Sequence, residues 1–325
     1  MDINNISVNK ELSIVFMGTP DFAVPVLEAL IEKYNVRAIV TQPDKLVGRD
    51  QHLSYSPVKK VGMEHAKLVL QPVKIRKDFQ EILNLEPDLI ITCAYGQIIP
   101  TEILECPRLG CINVHASLLP KLRGGAPIQH AIMDGYTETG VTIMYMNEKM
   151  DDGDIIDKEK IDIGDEETAD SLYERLKVLG RDLLMKTLPS IIDGTNNRIK
   201  QNPDEVTFGF NITREDEKLD FSKNKYQLHN QIRGLNSFPG SYCLLDGVEL
   251  KVWESYISDN FFPEKIDGEI TAIYDDGFGV KVSNGELIFK TVQLAGKNKV
   301  NGADFARGMM NHRKFIGEVL SWKKK

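Results

Sequence analysis

The sequence predicts an α/β fold: a Rossmann-like, mostly parallel sheet in the N-terminal part, followed by a small C-terminal β-barrel of OB-like architecture. In roughly the first two-thirds of the 325 residues, short apolar runs alternate with amphipathic helical patterns. That alternation is typical of parallel strands covered on both faces by helices. Later in the chain, short alternating runs are separated by Asp-Gly and Asn-Gly turns, which indicate antiparallel hairpins.

Apolar runs place the predicted strands of the N-terminal part. They are LSIVFMG (12–18), VRAIVT (36–41), KLVLQ (67–71), DLIITCAY (88–95) and CINVH (111–115). Helical periodicity predicts a helix from 24 to 34, with Val26, Leu27, Leu30 and Ile31 on one face, and another near 171–192. After it, the polar stretch DGTNNRIKQNPDEV lacks apolar periodicity. We therefore expect an N-terminal domain at 1–193, a linker at 194–208 and a C-terminal domain at 209–325.

Composition narrows the class of protein. With 42% hydrophobic and 27% charged residues the chain is expected to fold, and a net charge of −8 argues against a uniformly basic nucleic-acid binder. The four cysteines have irregular spacings, which favours reduced thiols over a zinc site. The polar, acidic N-terminus is unlike a signal peptide, and the most apolar segment, 89–99, is too short to span a bilayer. We expect a cytoplasmic protein without a metal, a membrane segment or a stable protein partner.

Charge is uneven near the C-terminus. From residue 287 onward nine basic residues stand against two acidic ones; the basic residues are Lys290, Lys297, Lys299, Arg307, Arg313, Lys314, Lys323, Lys324 and Lys325. A solvated surface with a lysine tail explains this pattern. A basic face on a small β-barrel is also suited to an acidic polymer such as RNA.

Three predicted strand ends are candidate ligand sites, because ligands bind beyond the carboxyl ends of strands in open parallel sheets. They are GTPDFA (18–23), AYGQIIP (94–100) and NVHASLLP (113–120). The first lacks the G-x-G-x-x-G spacing of dinucleotide-binding loops, and it has no Walker lysine. The sequence therefore argues against a Rossmann dehydrogenase.

The third strand end carries Asn113 and His115, which point to the same face of a strand because they are two residues apart. An amide donor beside an imidazole suits a carbonyl oxygen that gains negative charge, and the imidazole can also carry a proton. The alternative is that both are turn-capping groups, which is the commoner role of such residues at strand ends.

A carboxylate that could orient the imidazole is found in MDDGDI (150–155), where Asp151 is the candidate. The alternatives are a solvated Asp-Gly turn or a cation site, although the spacing of a calcium-binding EF-hand loop is absent. Asn, His and Asp without a Ser or Cys nucleophile in an elbow motif suggest general acid–base acyl transfer without a covalent enzyme intermediate.

Taken together, the motifs resemble the folate-dependent formyltransferase family across nearly the whole chain. They are FMGTPDFA, TQPDKLVGR, AYGQIIP, NVHASLLPKLRGGAPIQHAI, TGVTIMYMNEKMDDGDI, RGLNSFPGSY and VQLAGK. Within that family, GGAPIQHAI and GVTIMYM favour the methionyl-tRNA formyltransferases.

The resemblance implies transfer of the formyl group of 10-formyltetrahydrofolate to the α-amine of methionyl initiator tRNA, without a metal. It implies that Asn113 and His115 stabilise the oxyanion, and that Asp151 holds His115 and helps remove the amine proton. It also implies that the folate site is lined by Ser117, Leu118, Leu119 and Pro120, together with the backbone near Tyr95 and Gly96.

For tRNA, the resemblance implies contacts from the loop at 41–60, with Lys45 and Arg49 as candidates, and from the C-terminal domain. Without the resemblance, the length and polarity of that loop indicate a solvated, flexible connection. The alternatives are a formyltransferase acting on an amino sugar nucleotide or on glycinamide ribonucleotide, a 10-formyltetrahydrofolate hydrolase, or an RNA-binding module without activity. In the last of these, Asn113, His115 and Asp151 would be dispensable.

Overall fold

The computed structural model describes residues 11–48, 50–311 and 314–322. The chain divides into two compact units. The first takes its described residues from Met1–Pro127, Thr139–Ile161 and Tyr173–Phe210, and the second from Ile128–Glu138, Asp162–Leu172 and Asn211–Lys325. The domain bounds expected from the sequence, with a linker at 194–208, stay a prediction.

Seven strands form the sheet of the first unit: β1 (Ser13–Gly18), β2 (Asn35–Val40), β5 (Leu68–Leu70), β6 (Leu89–Cys93), β7 (Cys111–His115), β8 (Glu138–Tyr145) and β9 (Ile155–Asp162). Their order is β5-β2-β1-β6-β7-β8-β9. The first five are parallel, and β8 is antiparallel to β7. Two short strands, β3 (Lys45–Val47) and β4 (His52–Ser54), form a separate antiparallel pair. The predicted parallel strands are confirmed to within two residues at each end.

The helices of the described residues are α1 (Val24–Lys33), α2 (Pro57–Glu64), α3 (Gln80–Leu83), α4 (Thr101–Leu104), α5 (Pro127–Met133), α6 (Ala169–Ile192), α7 (Lys225–Gly234) and α8 (Gly302–Met310), with 3-10 turns at Asp21–Ala23 and Pro203–Glu205. The helices predicted at 24–34 and near 171–192 are confirmed as α1 and α6. Within residues 11–48, 50–311 and 314–322, no helix combines the length with the apolar character that crossing a membrane requires.

The sheet of the first unit is covered on both faces. On one face Val15, Met17, Ile90 and Cys111 belong to a buried apolar cluster. On the other face α6 comes so close that a Cβ added at Gly180 would lie 3.0 Å from Val114 Cγ1. Because strand side chains alternate, Asn113 and His115 share the face of Cys111 and follow it along β7. The apolar cluster thus ends, at the carboxyl end of β7, in two polar side chains.

The second unit contains an antiparallel sheet. Its strands are β10 (Ser241–Leu245), β11 (Val248–Ser258), β12 (Ile270–Ile273), β13 (Phe278–Val282), β14 (Gly285–Leu294) and β15 (Val300–Asn301). The order is β10-β11-β14-β13-β12, and β15 pairs with β14. The antiparallel character predicted from the turn signals is confirmed.

A single segment, 317–321, pairs with both ends of this sheet. Leu244 of β10 and Ser321 exchange two backbone hydrogen bonds of 2.7 and 2.9 Å. Near β12, the Leu320 amide donates to Gly268 at 2.9 Å, and the Gly317 amide donates to Ile270 at 2.9 Å. The segment therefore closes the sheet into a barrel around a buried core that includes Phe221, Phe278, Phe289 and Phe315.

Helix α7 begins with a capping box. The side chain of Asn224 accepts from the Gln227 amide, and the Gln227 side chain accepts from the Asn224 amide. Two orphan amides at the helix start are thereby paired. Leu228 and Ile232, one turn apart, then place this helix against the barrel core.

We expect Asn224→Ala to lower the free energy of unfolding of the second unit by about 1 kcal/mol, because the N-cap acceptor is lost. Both tryptophans of the chain, Trp253 and Trp322, lie in this unit, so urea denaturation followed by tryptophan fluorescence measures it. The matched control is Asn197→Ala, an exposed position outside this unit. An unchanged midpoint for Asn224→Ala would remove the capping box as a source of stability.

Candidate active site

Asn113 lies at the carboxyl end of β7, and Thr92 of the neighbouring strand β6 fixes its amide. Thr92 Oγ1 lies 2.9 Å from Asn113 Oδ1 and 3.1 Å from the Ile112 carbonyl oxygen, and its one hydroxyl hydrogen can be donated to either. Because the amide oxygen is directed toward Thr92, the Nδ2 group is directed away from it. Asn113 is half-buried, so this amide group is a preoriented donor at the strand end.

His115 is 6% exposed, and both of its ring nitrogens face polar groups. Nε2 lies 3.1 Å from the carbonyl oxygen of Leu122. A carbonyl can only accept, so in this contact Nε2 carries a hydrogen and donates. Nδ1 lies 3.7 Å from Asp151 Oδ1, which is longer than a hydrogen bond. The ring orientation is thus set by Leu122, and the Asp151 carboxylate lies beside Nδ1.

Asp151 is held from a second direction by a glycine amide. The Gly124 N–H donates to Asp151 Oδ2 at 2.8 Å. A Cβ added at Gly124 would lie 2.7 Å from the Gly209 carbonyl oxygen, and the backbone of Gly124 has φ +122°. Only glycine suits that position. One carboxylate oxygen of Asp151 is therefore engaged by main chain, while the other faces His115.

The structure therefore brings together all three residues that the sequence predicted as catalytic. Asn113 and His115 are two residues apart on a strand, a spacing of roughly 6–7 Å, and Asp151 lies beside His115 from the loop between β8 and β9. The arrangement offers a donor for a developing oxyanion, and an imidazole–carboxylate pair that can accept and pass on a proton. Burial raises the pKa of the nearby thiols of Cys93 and Cys111, so neither is a ready thiolate nucleophile.

The segment 117–120 follows β7 and is anchored by Thr142 of β8. The Thr142 hydroxyl donates to the Ser117 carbonyl at 2.7 Å, and it accepts from the Leu119 amide at 3.1 Å. The side chains of Ser117 and Leu119 are fully buried, Pro120 is also buried, and Leu118 is partly exposed. Leu118 is therefore the side chain of 117–120 that stays partly accessible.

Tyr95 and Gly96 follow β6, the strand beside β7. The Tyr95 carbonyl accepts from Thr19 Oγ1 at 3.0 Å and from Gln42 Nε2 at 3.1 Å. Its hydroxyl is buried and has no hydrogen-bond partner among the described residues, and burial raises the pKa of Tyr95 to about 12. Nearby, Ile98 leaves 65% of its surface exposed. The β6 end thus combines an apolar surface with a buried hydroxyl that can still form a hydrogen bond.

Several residues around Asp151 lie outside the residues predicted as catalytic or folate-binding. Arg123 is 8% exposed and forms an ion pair with Asp152 at 2.6 Å. Gln201 hydrogen-bonds both to Arg123 and to the loop that carries Asp151. Gln201 lies in the stretch predicted as a linker, whose polar composition gives no signal of a buried contact. In the sequence, Arg123 is distinguished only as a charged residue before two glycines. Asp152 is distinguished only by its neighbouring aspartates.

Of the two residues expected to contact tRNA, the structure describes only Lys45. Lys45 is exposed on the pair of strands β3 and β4, opposite Ser54 in register. Arg49 lies outside the described residues. Across residues 11–48, 50–311 and 314–322, no group of three or more His, Cys, Asp or Glu side chains is arranged to hold a metal ion.

Comparisons with known proteins identify two matching family models and several related sequences. The formyl transferase family matches residues 12–188, and the formyl transferase C-terminal domain matches residues 211–310. The chain is 50% identical over 301 residues to the methionyl-tRNA formyltransferase of Bacillus cereus (strain B4264), covering 91% of this chain and 96% of the relative.

Solved structures share the fold at lower identity. The sugar 3N-formyltransferase WlaRD, solved in the presence of dTDP and 5-N-formyl-THF, has a TM-score of 0.68 at 22% identity, covering 88% of this chain and 99% of that one. An N-formyltransferase from Helicobacter canadensis, in complex with folinic acid and dTDP-3-aminofucose, has a TM-score of 0.67 at 21% identity, covering 86% and 99%. The chain therefore belongs to the formyl transferase family, with methionyl-tRNA formyltransferases as relatives over most of its length.

Proposed function

We propose that this protein transfers the formyl group of 10-formyltetrahydrofolate to the α-amine of methionyl initiator tRNA, giving N-formylmethionyl-tRNA for translation initiation. The observation that carries the proposal is the convergence of Asn113, His115 and Asp151 in a chain 50% identical to a methionyl-tRNA formyltransferase. The cytoplasm, where initiator tRNA is charged and used, is its proposed location.

The roles of the three residues follow from their contacts. Asn113, with its oxygen turned to Thr92, would donate from Nδ2 to the formyl oxygen as that oxygen gains negative charge. Asp151, with one oxygen facing His115, would orient the imidazole and help remove a proton from the attacking amine. An α-amine is a competent nucleophile once neutral, so positioning, a proton acceptor and an oxyanion donor suffice.

The folate donor, when bound, supplies the formyl carbon; the new bond joins that carbon to the methionine nitrogen, the bond from the carbon to N10 breaks, and N10 gains a proton in exchange for the one lost by the amine. The residues at the ends of β6 and β7 fit such a ligand. Ile98 offers the apolar surface that a planar pterin ring covers. The buried Tyr95 hydroxyl, which lacks a partner within the described part of the chain, offers a hydrogen-bonding group. The segment 117–120, whose Leu119 amide already donates to Thr142, lines the adjoining strand end. Gly96 and Leu118 complete the proposed donor site.

The proposed tRNA contacts come from the loop that holds Lys45 and Arg49 and from the C-terminal β domain. In the second unit, Lys299 Nζ lies 3.5 Å and Lys251 Nζ 5.3 Å from the ring centre of Trp253. Cations beside an aromatic ring are suited to phosphates and bases of RNA. Such contacts predict tRNA binding that weakens steeply with salt. The proposed division of labour gives catalysis to 1–193 and tRNA binding to 209–325.

We expect the purified protein to formylate methionyl initiator tRNA with 10-formyltetrahydrofolate, and to formylate methionyl elongator tRNA much more slowly. Acid gel electrophoresis of the tRNA product measures this directly. A parallel reaction offers a dTDP-linked amino sugar as acceptor. Formylation of the sugar alone, or donor consumption at the same rate without any acceptor, would contradict the proposal and favour the amino sugar or hydrolase alternative.

A further inference from the structure

Gln201 uses its whole side-chain amide to join two parts of the candidate active site. Its Nε2 donates to the Asp151 carbonyl at 2.7 Å and to the Gly153 carbonyl at 2.9 Å. Its Oε1 accepts from Arg123 Nε at 3.1 Å and from Arg123 Nη2 at 2.8 Å. Two donors and two acceptor sites are all that such an amide has. Every hydrogen-bonding position of Gln201 is therefore occupied by the catalytic loop or by Arg123.

We propose that Gln201 is a positioning residue for formyl transfer, which holds the Asp151 carboxylate against His115 by tying the 151–153 loop to Arg123. This inference rests on the proposed function. It goes beyond it by assigning a role to a residue of the segment 194–208.

The loop needs such a support because its backbone conformation is restricted. Asp151 has φ +49°, in the left-handed region that is unfavourable for residues other than glycine. Gly153 packs so tightly that an added Cβ would lie 1.8 Å from the Tyr145 carbonyl oxygen. Gln201 donates to the carbonyls on both sides of Asp152. These two bonds bracket the turn and stabilise the conformation that directs the Asp151 side chain inward.

Arg123 provides a rigid base for this support. Its guanidinium pairs with Asp152 of the same loop at 2.6 Å, and the residue is 8% exposed. Its backbone amide donates to Thr207 at 2.9 Å, and its carbonyl accepts from Gly209 at 2.8 Å. Arg123 is therefore fixed through both main chain and side chain. Gln201 therefore connects Arg123, which precedes Gly124, to the residues around Asp151.

The two ends of the Gln201 amide are separable by substitution. Gln201→Ala removes both ends. Gln201→Glu keeps an acceptor for Arg123 but replaces the two N–H donors by an oxygen that repels the Asp151 and Gly153 carbonyls. If the donor end positions the loop, both variants lose turnover, and Gln201→Glu loses at least as much. The matched control is Gln80→Ala, the same change at an exposed position in α3.

The kinetic test uses formylation of methionyl initiator tRNA at saturating substrates. We expect Gln201→Ala to lower kcat roughly 10- to 100-fold, because displacing a catalytic group by about 1 Å has effects of that size. KM for either substrate should change less than about 3-fold, because the lost contacts touch neither substrate. A Gln201→Glu variant with wild-type kcat, or a loss confined to KM, would overturn the proposal.

A double-mutant cycle with Asp151→Asn tests whether Gln201 acts through Asp151. In the Asp151→Asn background, Gln201→Ala should cost less than about 3-fold in kcat, because the group that it positions is already disabled. A purely structural residue would give losses that multiply, and that result would overturn the positioning role. Thermal denaturation of each variant establishes that folded protein is being compared.

Hydrogen exchange supplies a readout that does not depend on activity. We expect the backbone amides of 150–153, and that of Gly124, to exchange faster in Gln201→Ala than in the wild type or Gln80→Ala. If the wild type fails to formylate tRNA, the proposed function fails, and exchange still shows whether Gln201 holds the loop. Unchanged exchange in both places would overturn the contact itself as a support of the loop.

Discussion

Asp151→Asn is expected to lower kcat for formylation by roughly 10²–10⁴-fold, the range associated with loss of a positioned acid or base. An amide at this position can still accept from the Gly124 N–H, which lies 2.8 Å from the native carboxylate. It cannot take up a proton, and it presents no charge to His115, whose Nδ1 lies 3.7 Å away. The fold of the loop is therefore retained while the chemistry is lost. Single-turnover formylation measures the effect.

The dissociation constant for methionyl initiator tRNA should stay within about 3-fold of the wild-type value in Asp151→Asn, because the loss is confined to the transition state. The control is Asp157→Asn, which removes a carboxylate paired at 3.8 Å with the exposed Lys186. Such surface pairs contribute little, so its turnover should resemble the wild type. Equal losses of tRNA binding and of turnover in Asp151→Asn would make Asp151 a structural residue.

Asn113→Ala is expected to lower kcat by roughly 10²–10³-fold, the cost of removing one oxyanion donor from a preorganised site. Thr92 holds the Asn113 oxygen at 2.9 Å, so the Nδ2 group is already oriented before a substrate arrives. Asn113→Asp separates shape from donor capacity, because a carboxylate can still accept from Thr92 but cannot donate to the formyl oxygen. It should be at least as slow as Asn113→Ala.

Asn197→Ala, an exposed position, serves as the control for the Asn113 variants. Steady-state rates at saturating donor and tRNA are compared for the four proteins. If Asn113→Asp turned over at the wild-type rate, donation from Nδ2 would have no part in the reaction, and Asn113 would return to the role of a strand-end capping residue. Retained tRNA and donor binding in all variants would locate the loss in the chemical step.

The parts of the structure that could be predicted are those with short-range rules. Buried parallel strands require continuous apolar runs, so β1, β2, β6 and β7 were identified from such runs. Strand alternation then placed Asn113 and His115 on one face without knowledge of the fold. Asp151 was identified as a candidate because it is a carboxylate in a turn rich in Asp and Gly, and the structure brings it to His115.

The contacts that could not be predicted join distant parts of the chain through the main chain. Gln201 is separated by 50 residues from Asp151 and by 78 from Arg123, and its partners on the loop are carbonyl groups, which every residue has. Likewise, the bond from the Gly124 amide to Asp151 depends on a backbone position that many sequences could supply. Periodicity and composition carry no information about such pairs, since only the three-dimensional path of the chain selects them.

The closure of the barrel by the segment 317–321 has a consequence for biosynthesis. During translation, β10 to β15 emerge from the ribosome before this segment, so the strands at both ends of the sheet initially lack the partner that 317–321 provides. Unpaired strand edges can pair with other chains. We therefore expect the second unit to complete its fold only after residue 321 has emerged.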